Sequence, residues 1–359
     1  MRRSAVADAR PRHTHASVAN RSGVEFAAKS TTRCYVRRLL LCRVMATMRV
    51  VGVDEFGGPR ALREFDLPIP EHDDDGVLVR VRAAAVNPTD TLARSGARRQ
   101  AYEGLTPPFV PGMDVAGIVE SVGANVRHLR PGDAVVAIVV PHGSHGGYSQ
   151  YLALPGDSVV RAPSSVPLLD ASTLPMNGLT ARRCLDLLDL APGATLAVSG
   201  AAGAFGGYVV ELAKVAGLRV IADAKESDRE LVAGLGADVI VERGPDVAAA
   251  ILEACPTGVD AIADGSLQHE ALLPALRDGG VIATVRGWNE PCPRGITARP
   301  VWVREYARER DKLAELVRLV DAGRLHTRVA GVFPATEAWR AHELLEAGGT
   351  RGRFVLRFD

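Results

Sequence analysis

The chain has 359 residues, 47% hydrophobic and 24% charged, with a formal net charge of +1, a composition that supplies two packed cores and excludes a disordered chain. Residues 1–47 hold ten of the 43 Arg and Lys but only two of the 42 acids, leaving 33 basic and 40 acidic groups beyond them; a mildly acidic body excludes nucleic acid as a partner. Apolar runs such as AVVAIVV at 134–140 are strand-length, well short of the roughly 18 residues of a membrane span.

Residues 1–47 are rich in Arg, Ala, Ser and Thr and have no hydrophobic period. An organellar transit peptide, a disordered basic tail and upstream sequence translated from a misassigned start all fit that composition. We favour the last, because a strand pattern begins at Met48 and either Met45 or Met48 makes a natural first residue. Cysteines at 34, 42, 184, 255 and 292 form no C-x-x-C pair, which implies a reducing, cytoplasmic compartment and no zinc cluster.

From Met48 to about Leu169, short strands alternate with Gly and Pro turns, including 77–81, 115–119, 134–140 and 148–154, and this predicts an irregular β domain. A linker at 161–167 precedes a helix over 170–190. Residues 195–207, TLAVSGAAGAFGG, then offer a buried strand, a turn at Gly200, Gly203 and Gly206, and a helix from Gly206 to Val215 with Val209, Leu212, Ala213 and Ala216 on one face. That order is what a dinucleotide requires: glycines let backbone approach the pyrophosphate, and a helix N-terminus faces its charge.

Ala201 stands where G-x-G-x-x-G has its first glycine, and a tight βα connection explains a lone match as well. The context decides for the dinucleotide, because Asp223 closes a second strand at ribose distance and strand patterns continue at 239–241, 261–263 and 281–285. A helix over 305–322 ends this half, with Leu313, Leu316, Val317 and Val320 on one face. The tail reads as strands at 328–333 and 353–358 around a helix holding Ala338, Ala341, Leu344 and Leu345. Gly348 to Arg353 reads as a turn before the last strand. The fold class is α/β: a doubly wound parallel Rossmann sheet over 171–323, with the second domain formed by 48–170 and 324–359.

From Met48 onward the chain resembles the medium-chain dehydrogenase/reductase superfamily, in its zinc-free quinone oxidoreductase branch. The matching runs are AAVNPTD at 84–90, PFVPGMDVAGIV at 108–119, RPGD at 130–133, TLPMNGLT at 173–180 and SGAAG at 199–203. The resemblance implies that the second domain is GroES-like, that the active site lies in the cleft between domains, and that the protein is a homodimer. It places the cofactor against Thr180, Gly200, Ala202, Gly203, Ala204, Phe205, Gly206, Asp223, Lys225, Arg286 and Gly287. It lines the substrate cleft with Asn87, Asp90, Met113, Asp114, Tyr148, Asn177 and Trp288.

Aligned this way, Asn87 occupies the first cysteine position of a catalytic zinc site and Met113 with Asp114 replaces its His-Glu pair, donors that do not substitute for thiolate and imidazole. His142 and His145 lie close together, but lack further ligands. Without zinc, oxidation of simple alcohols is disfavoured, and hydride reduction of a quinone or an activated alkene fits better. Asn87 and Asn177 are the expected catalytic donors to the substrate carbonyl. Each also has a structural reading, Asn87 bracing the turn before Pro88 and Asn177 capping a helix starting near Leu179.

Leu92 and Arg98 stand where family members carry tyrosines. On cofactor choice, Asp223 favours NAD(H), whereas Lys225 and Arg229 could hold the 2′-phosphate of NADP(H); the branch's preference implies NADP(H). Two other readings stay open, a narrow enoyl reductase of one biosynthetic pathway and a non-catalytic NADPH-binding sensor.

Overall fold

A computed structural model describes residues 46–359. The expectation for the basic leader lies outside the described residues, apart from its last two positions, of which Thr47 opens the first strand.

Strand β1 (Thr47–Gly52) pairs antiparallel with β2 (Arg63–Pro68) as a separate ribbon. β3 (Gly76–Val86) runs into helix α1 (Pro88–Ser95), where Pro88 opens the helix without wasting an N–H and Gly96 at φ 80° closes it. β4 (Asp114–Val122), β5 (Ala134–Ile138), β6 (Tyr151–Pro155) and β7 (Val159–Arg161) follow. The helix read over 170–190 is two: α2 (Leu168–Ala171) and α3 (Pro175–Leu188). Pro175 separates them, because it has no N–H to continue α2.

Strands and helices then alternate: β8 (Thr195–Ser199), α4 (Ala204–Val215), β9 (Arg219–Ala224), α5 (Arg229–Gly234), β10 (Val239–Glu242), α6 (Val247–Ala254), β11 (Val259–Asp264), β12 (Leu276–Thr284) and β13 (Thr297–Pro300). α7 (Arg310–Asp321) starts later than the sequence suggested, because 303–306 forms its own tight turn. β14 (Val329–Pro334), α8 (Ala338–Glu346) and β15 (Arg353–Arg357) complete the chain.

β8 to β13 form one parallel sheet in the order β10-β9-β8-β11-β12-β13. Period-two alternation sends Leu196 and Val198 to one face with α3, α4 and α7, and Ala197, Ile221, Ile262 and Ile282 to the other with α6. The order reverses between β8 and β11, which opens a crevice beyond their carboxyl ends, the Rossmann arrangement. The other large sheet runs β14-β15-β3-β4-β5-β7. β3 is eleven residues long and pairs β6 along its first half and β15 along its second, so the tail is hydrogen-bonded to a strand some 270 positions earlier.

Leu196 is fully buried in β8 at the centre of the parallel sheet, whereas Leu344 on α8 is 46% exposed. Leu196→Ala is expected to cost about 2–5 kcal/mol in urea unfolding, and Leu344→Ala less than about 0.5 kcal/mol.

Candidate active site

The crevice is shaped by glycines that nothing else can replace. Gly200 turns out of β8 at φ 81°, and a Cβ at Gly206 would fall 2.3 Å from the Gly200 carbonyl oxygen. α4 begins at Ala204, two residues before the expected start, and presents its first amides at the turn. Asp223, near the end of β9, accepts from the amides of Gly200 at 2.7 Å and Ala201 at 3.1 Å through Oδ1. Its Oδ2 is buried with no donor, and Arg243 Nε stands 4.0 Å away. Burial raises the Asp223 carboxyl, and the Ala201 amide and Arg243 oppose that rise. A ribose hydroxyl would satisfy a bare buried acceptor beside a glycine turn, so the residues fit a nicotinamide dinucleotide.

Lys225 is exposed just beyond Asp223. Arg229 instead donates to the Ile240 carbonyl at 3.3 Å. Sequence reading missed Arg328, which comes from just before β14 and donates to the carbonyls of Ala202 at 3.1 Å and Gly203 at 2.7 Å.

A cavity of about 370 Å³ opens beside this turn. Thr180, Phe205, Gly265, Leu267 and Arg286 line its nucleotide side, and Asp90, Arg98, Tyr102 and Met113 line the opposite wall; Asn177, Trp302, Arg304 and Arg353 also line it. Leu267 at φ 63° and Arg286 at φ 68° hold left-handed backbone that side chains rarely adopt, strain of roughly 1–3 kcal/mol each that concentrates at functional sites.

Behind the wall lies a buried polar network. Asn87 Nδ2 donates to Asp114 Oδ2 at 2.7 Å, and Asn87 Oδ1 accepts from Asn177 Nδ2 at 2.8 Å and Arg353 Nε at 2.9 Å. Arg353 Nη2 also donates to Asn177 Oδ1 at 2.8 Å, and the Met176 amide donates to Asp114. Asp90 accepts from the amides of Asn87 at 2.8 Å and Gly112 at 3.0 Å, with the Tyr148 hydroxyl 3.3 Å away. That hydroxyl also lies 3.0 Å from His342 Nε2. Burial pushes Asp90 and Asp114 each up to about 7, against the pull of their hydrogen-bond donors and Arg353. Burial holds His342 neutral, its pKa down to about 3.

The expected site residues therefore divide. Asn177, Asp90, Met113, Thr180, Phe205 and Arg286 reach the cavity wall, whereas Asn87, Asp114 and Tyr148 stand behind it, fully buried. Asn87 is not among the residues that line the cavity, and Asn177 sits inside the first turn of α3, bonded to Asn87 and Arg353 rather than capping a helix. Trp288 does not line the cavity: its ring stacks on His269 at 5.1 Å and its indole N–H donates to Glu270 at 3.0 Å. Trp302 lines it instead, against Gly287, where a Cβ would come within 2.6 Å of the indole.

The donor set does not fit zinc. Asn87 and Asp114 are committed to one another, and Met113 sulfur receives the Thr89 hydroxyl at 3.3 Å. Among the described residues no three His, Cys, Asp or Glu converge on a metal position, His142 and His145 included.

Residues 73–164 match the alcohol dehydrogenase GroES-like domain, and 235–356 match the zinc-binding dehydrogenase family. Pig (Sus scrofa) quinone oxidoreductase is 30% identical over 332 residues, spanning 86% of this chain and 97% of its own. The chain belongs to the quinone oxidoreductase branch of the medium-chain dehydrogenase/reductase superfamily. This oxidoreductase is also 28% identical to the chloroplastic NADPH-dependent alkenal/one oxidoreductase of Arabidopsis thaliana, over 86% of this chain and 79% of that one. Its fold matches the quinone oxidoreductase structure from Coxiella burnetii with a TM-score of 0.75 and 27% identity, over 88% of this chain and all of that one.

The raised pKa of Asp90 has a consequence for stability. The folded chain holds a proton that the unfolded chain releases above its ordinary 3.8, so the contribution is complete below that value and gone once pH passes about 7. Melting temperatures from pH 4 to 8 are expected to fall less steeply in Asp90→Asn than in the parent; the difference between the two curves reports Asp90 together with its influence on Asp114.

Proposed function

We propose that the protein is an NADPH-dependent, zinc-independent reductase of quinones and α,β-unsaturated carbonyl compounds, with NADH as the weaker alternative cofactor. The observation that carries this reading is one cavity lined both by Phe205 of the glycine-turn helix and by Tyr102. The pig relative bears the name quinone oxidoreductase and the Arabidopsis one alkenal/one oxidoreductase, which supports the substrate class.

When bound, the nicotinamide supplies a hydride to the electrophilic carbon of the acceptor. The chain's part is to place the acceptor and stabilise the negative charge that moves to its oxygen. Tyr102 suits this: it packs on Phe109 with centroids 4.9 Å apart, and burial followed by the Asp90 charge raises its pKa, so it stays a donor at neutral pH. We assign Asn87 and Asn177 to positioning, because their amides are engaged in the network behind the wall. Lys225 and Arg243 are the cations beside Asp223 that would favour a 2′-phosphate.

We take 171–323 as the cofactor domain and 48–170 with 324–359 as the catalytic domain, a division supported by sheet membership. β13 lies at the open edge of the parallel sheet, which supports a homodimer. A cytoplasmic location is supported by the free thiols of Cys184, Cys255 and Cys292; among the described residues no helix is long and apolar enough to cross a membrane.

The test follows NADPH and NADH oxidation with benzoquinone, naphthoquinone and a simple enone, with and without chelator. Chelator-insensitive oxidation is expected, and Tyr102→Phe is expected to lower enone turnover about 10- to 100-fold. Cofactor binding without oxidation across the panel would overturn the reductase reading. In a second measurement, Lys225→Ala with Arg243→Ala is expected to weaken NADPH binding roughly 10-fold or more and NADH binding little, since a hydrogen bond to a charged group contributes about 1.5–3 kcal/mol. Unchanged NADPH affinity would place the phosphate elsewhere.

A further inference from the structure

The cavity wall is cationic on a body that is not. From residue 48 onward acids outnumber bases by 40 to 33, yet four arginines line the cavity, Arg98, Arg286, Arg304 and Arg353, against one acid, Asp90. Asp90 is already matched, by the Asn87 and Gly112 amides and by the charge of buried Arg353. The other three arginines are exposed and make no ion pair with a described residue, although ion pairs are frequent elsewhere on the chain: Arg183 takes Glu305, Arg351 takes Asp228 and Arg277 takes Asp260.

These cations divide between two ligands. Arg286 follows β12 on the same carboxyl edge as the glycine turn, where the cofactor's own phosphates would be held. Arg98 belongs to the opposite wall with Tyr102, and Arg304 lies beyond β13 with its guanidinium 5.1 Å from the Trp302 ring. Neither belongs to the glycine turn or to the strands β8 and β9 that flank it. Like charges facing one cleft with low-dielectric walls raise the local concentration of an anion, and arginine forks match a carboxylate.

We infer that the preferred substrate is an anionic enone or quinone, its carboxylate held by Arg98 and Arg304 while its carbonyl meets Tyr102. This rests on the reductase reading above. The experiment pairs two enones of equal length and electrophilicity, one ending in a carboxylate and the other in the corresponding primary amide. Both are turned over with the NADPH-loaded enzyme and also titrated against it by tryptophan fluorescence.

The carboxylate is expected to be favoured at least 10-fold in kcat/KM at low ionic strength, with the preference fading at high salt. Arg98→Gln and Arg304→Gln are each expected to cut the carboxylate-to-amide ratio at least 5-fold. Arg340→Gln, which removes an exposed arginine paired with Glu337 remote from the cavity wall, is expected to leave the ratio unchanged. Equal use of both enones by the parent overturns the inference and leaves the reductase reading standing. If neither enone is reduced, the reductase reading fails, and the fluorescence titration decides the remainder: carboxylate-selective binding supports an anion site, and equal binding overturns it.

Discussion

Arg353 occupies a buried position that tolerates a guanidinium only when its donors are matched, and the matching atoms come from widely separated parts of the chain. Asn87 follows β3, Asn177 lies in the first turn of α3, and Asp114, one bond further on, begins β4. Removing one partner from such a set strands a charge away from water, a far larger loss than the net worth of any single hydrogen bond. Burial lowers Arg353 to about 10, opposed by the two carboxylates, and lifts Asp90 and Asp114 to about 7, opposed by Arg353. The network thereby fixes how the last strand meets the first helix of the catalytic half, and through Asn177 it fixes where α3 enters the nucleotide half.

That rigidity gives the cavity one firm wall. The opposite wall is held differently, by backbone placed where side chains rarely go. Leu267 and Arg286 sit in the left-handed region at the ends of β11 and β12, and Asp264 accepts from the amides of Ser266 and His269 to keep the first of these loops in place. One side is stabilised by matched polar groups, and the other carries backbone strain that the surrounding structure offsets.

The parts of this arrangement that were legible in the sequence are those with a local pattern. The glycine turn, its flanking strand and helix, and Asp223 follow from spacing alone, and period-two runs located most strands. Asn87, Asp114 and Asn177 were visible as motif residues, but their meeting with Arg353 was not, because nothing local distinguishes a buried arginine from the exposed Arg357 on the same strand. Trp288 and Trp302 could not be separated for a similar reason: which indole faces the cavity depends on the left-handed turn at Arg286. Tyr102 lies on a short turn without a period, shortly after Arg98, one of the two positions where family members carry tyrosines. The last turn, read as a turn, is one, with Gly348, Gly349 and Gly352 at positive φ; its arginines have tasks beyond turning the chain.

Gly207 is the extra glycine of the run, outside the nucleotide fingerprint, and its reason lies far away in sequence. A Cβ there would sit 2.1 Å from an Arg328 guanidinium nitrogen, so its bareness admits the arginine that braces the carbonyls of Ala202 and Gly203. A fragment cut after α7 would keep every fingerprint glycine and every strand of the parallel sheet while losing that brace, leaving two turn carbonyls without their donor. The turn after β8 is therefore braced by a residue that lies outside the strands of the parallel sheet, beyond α7 in the chain.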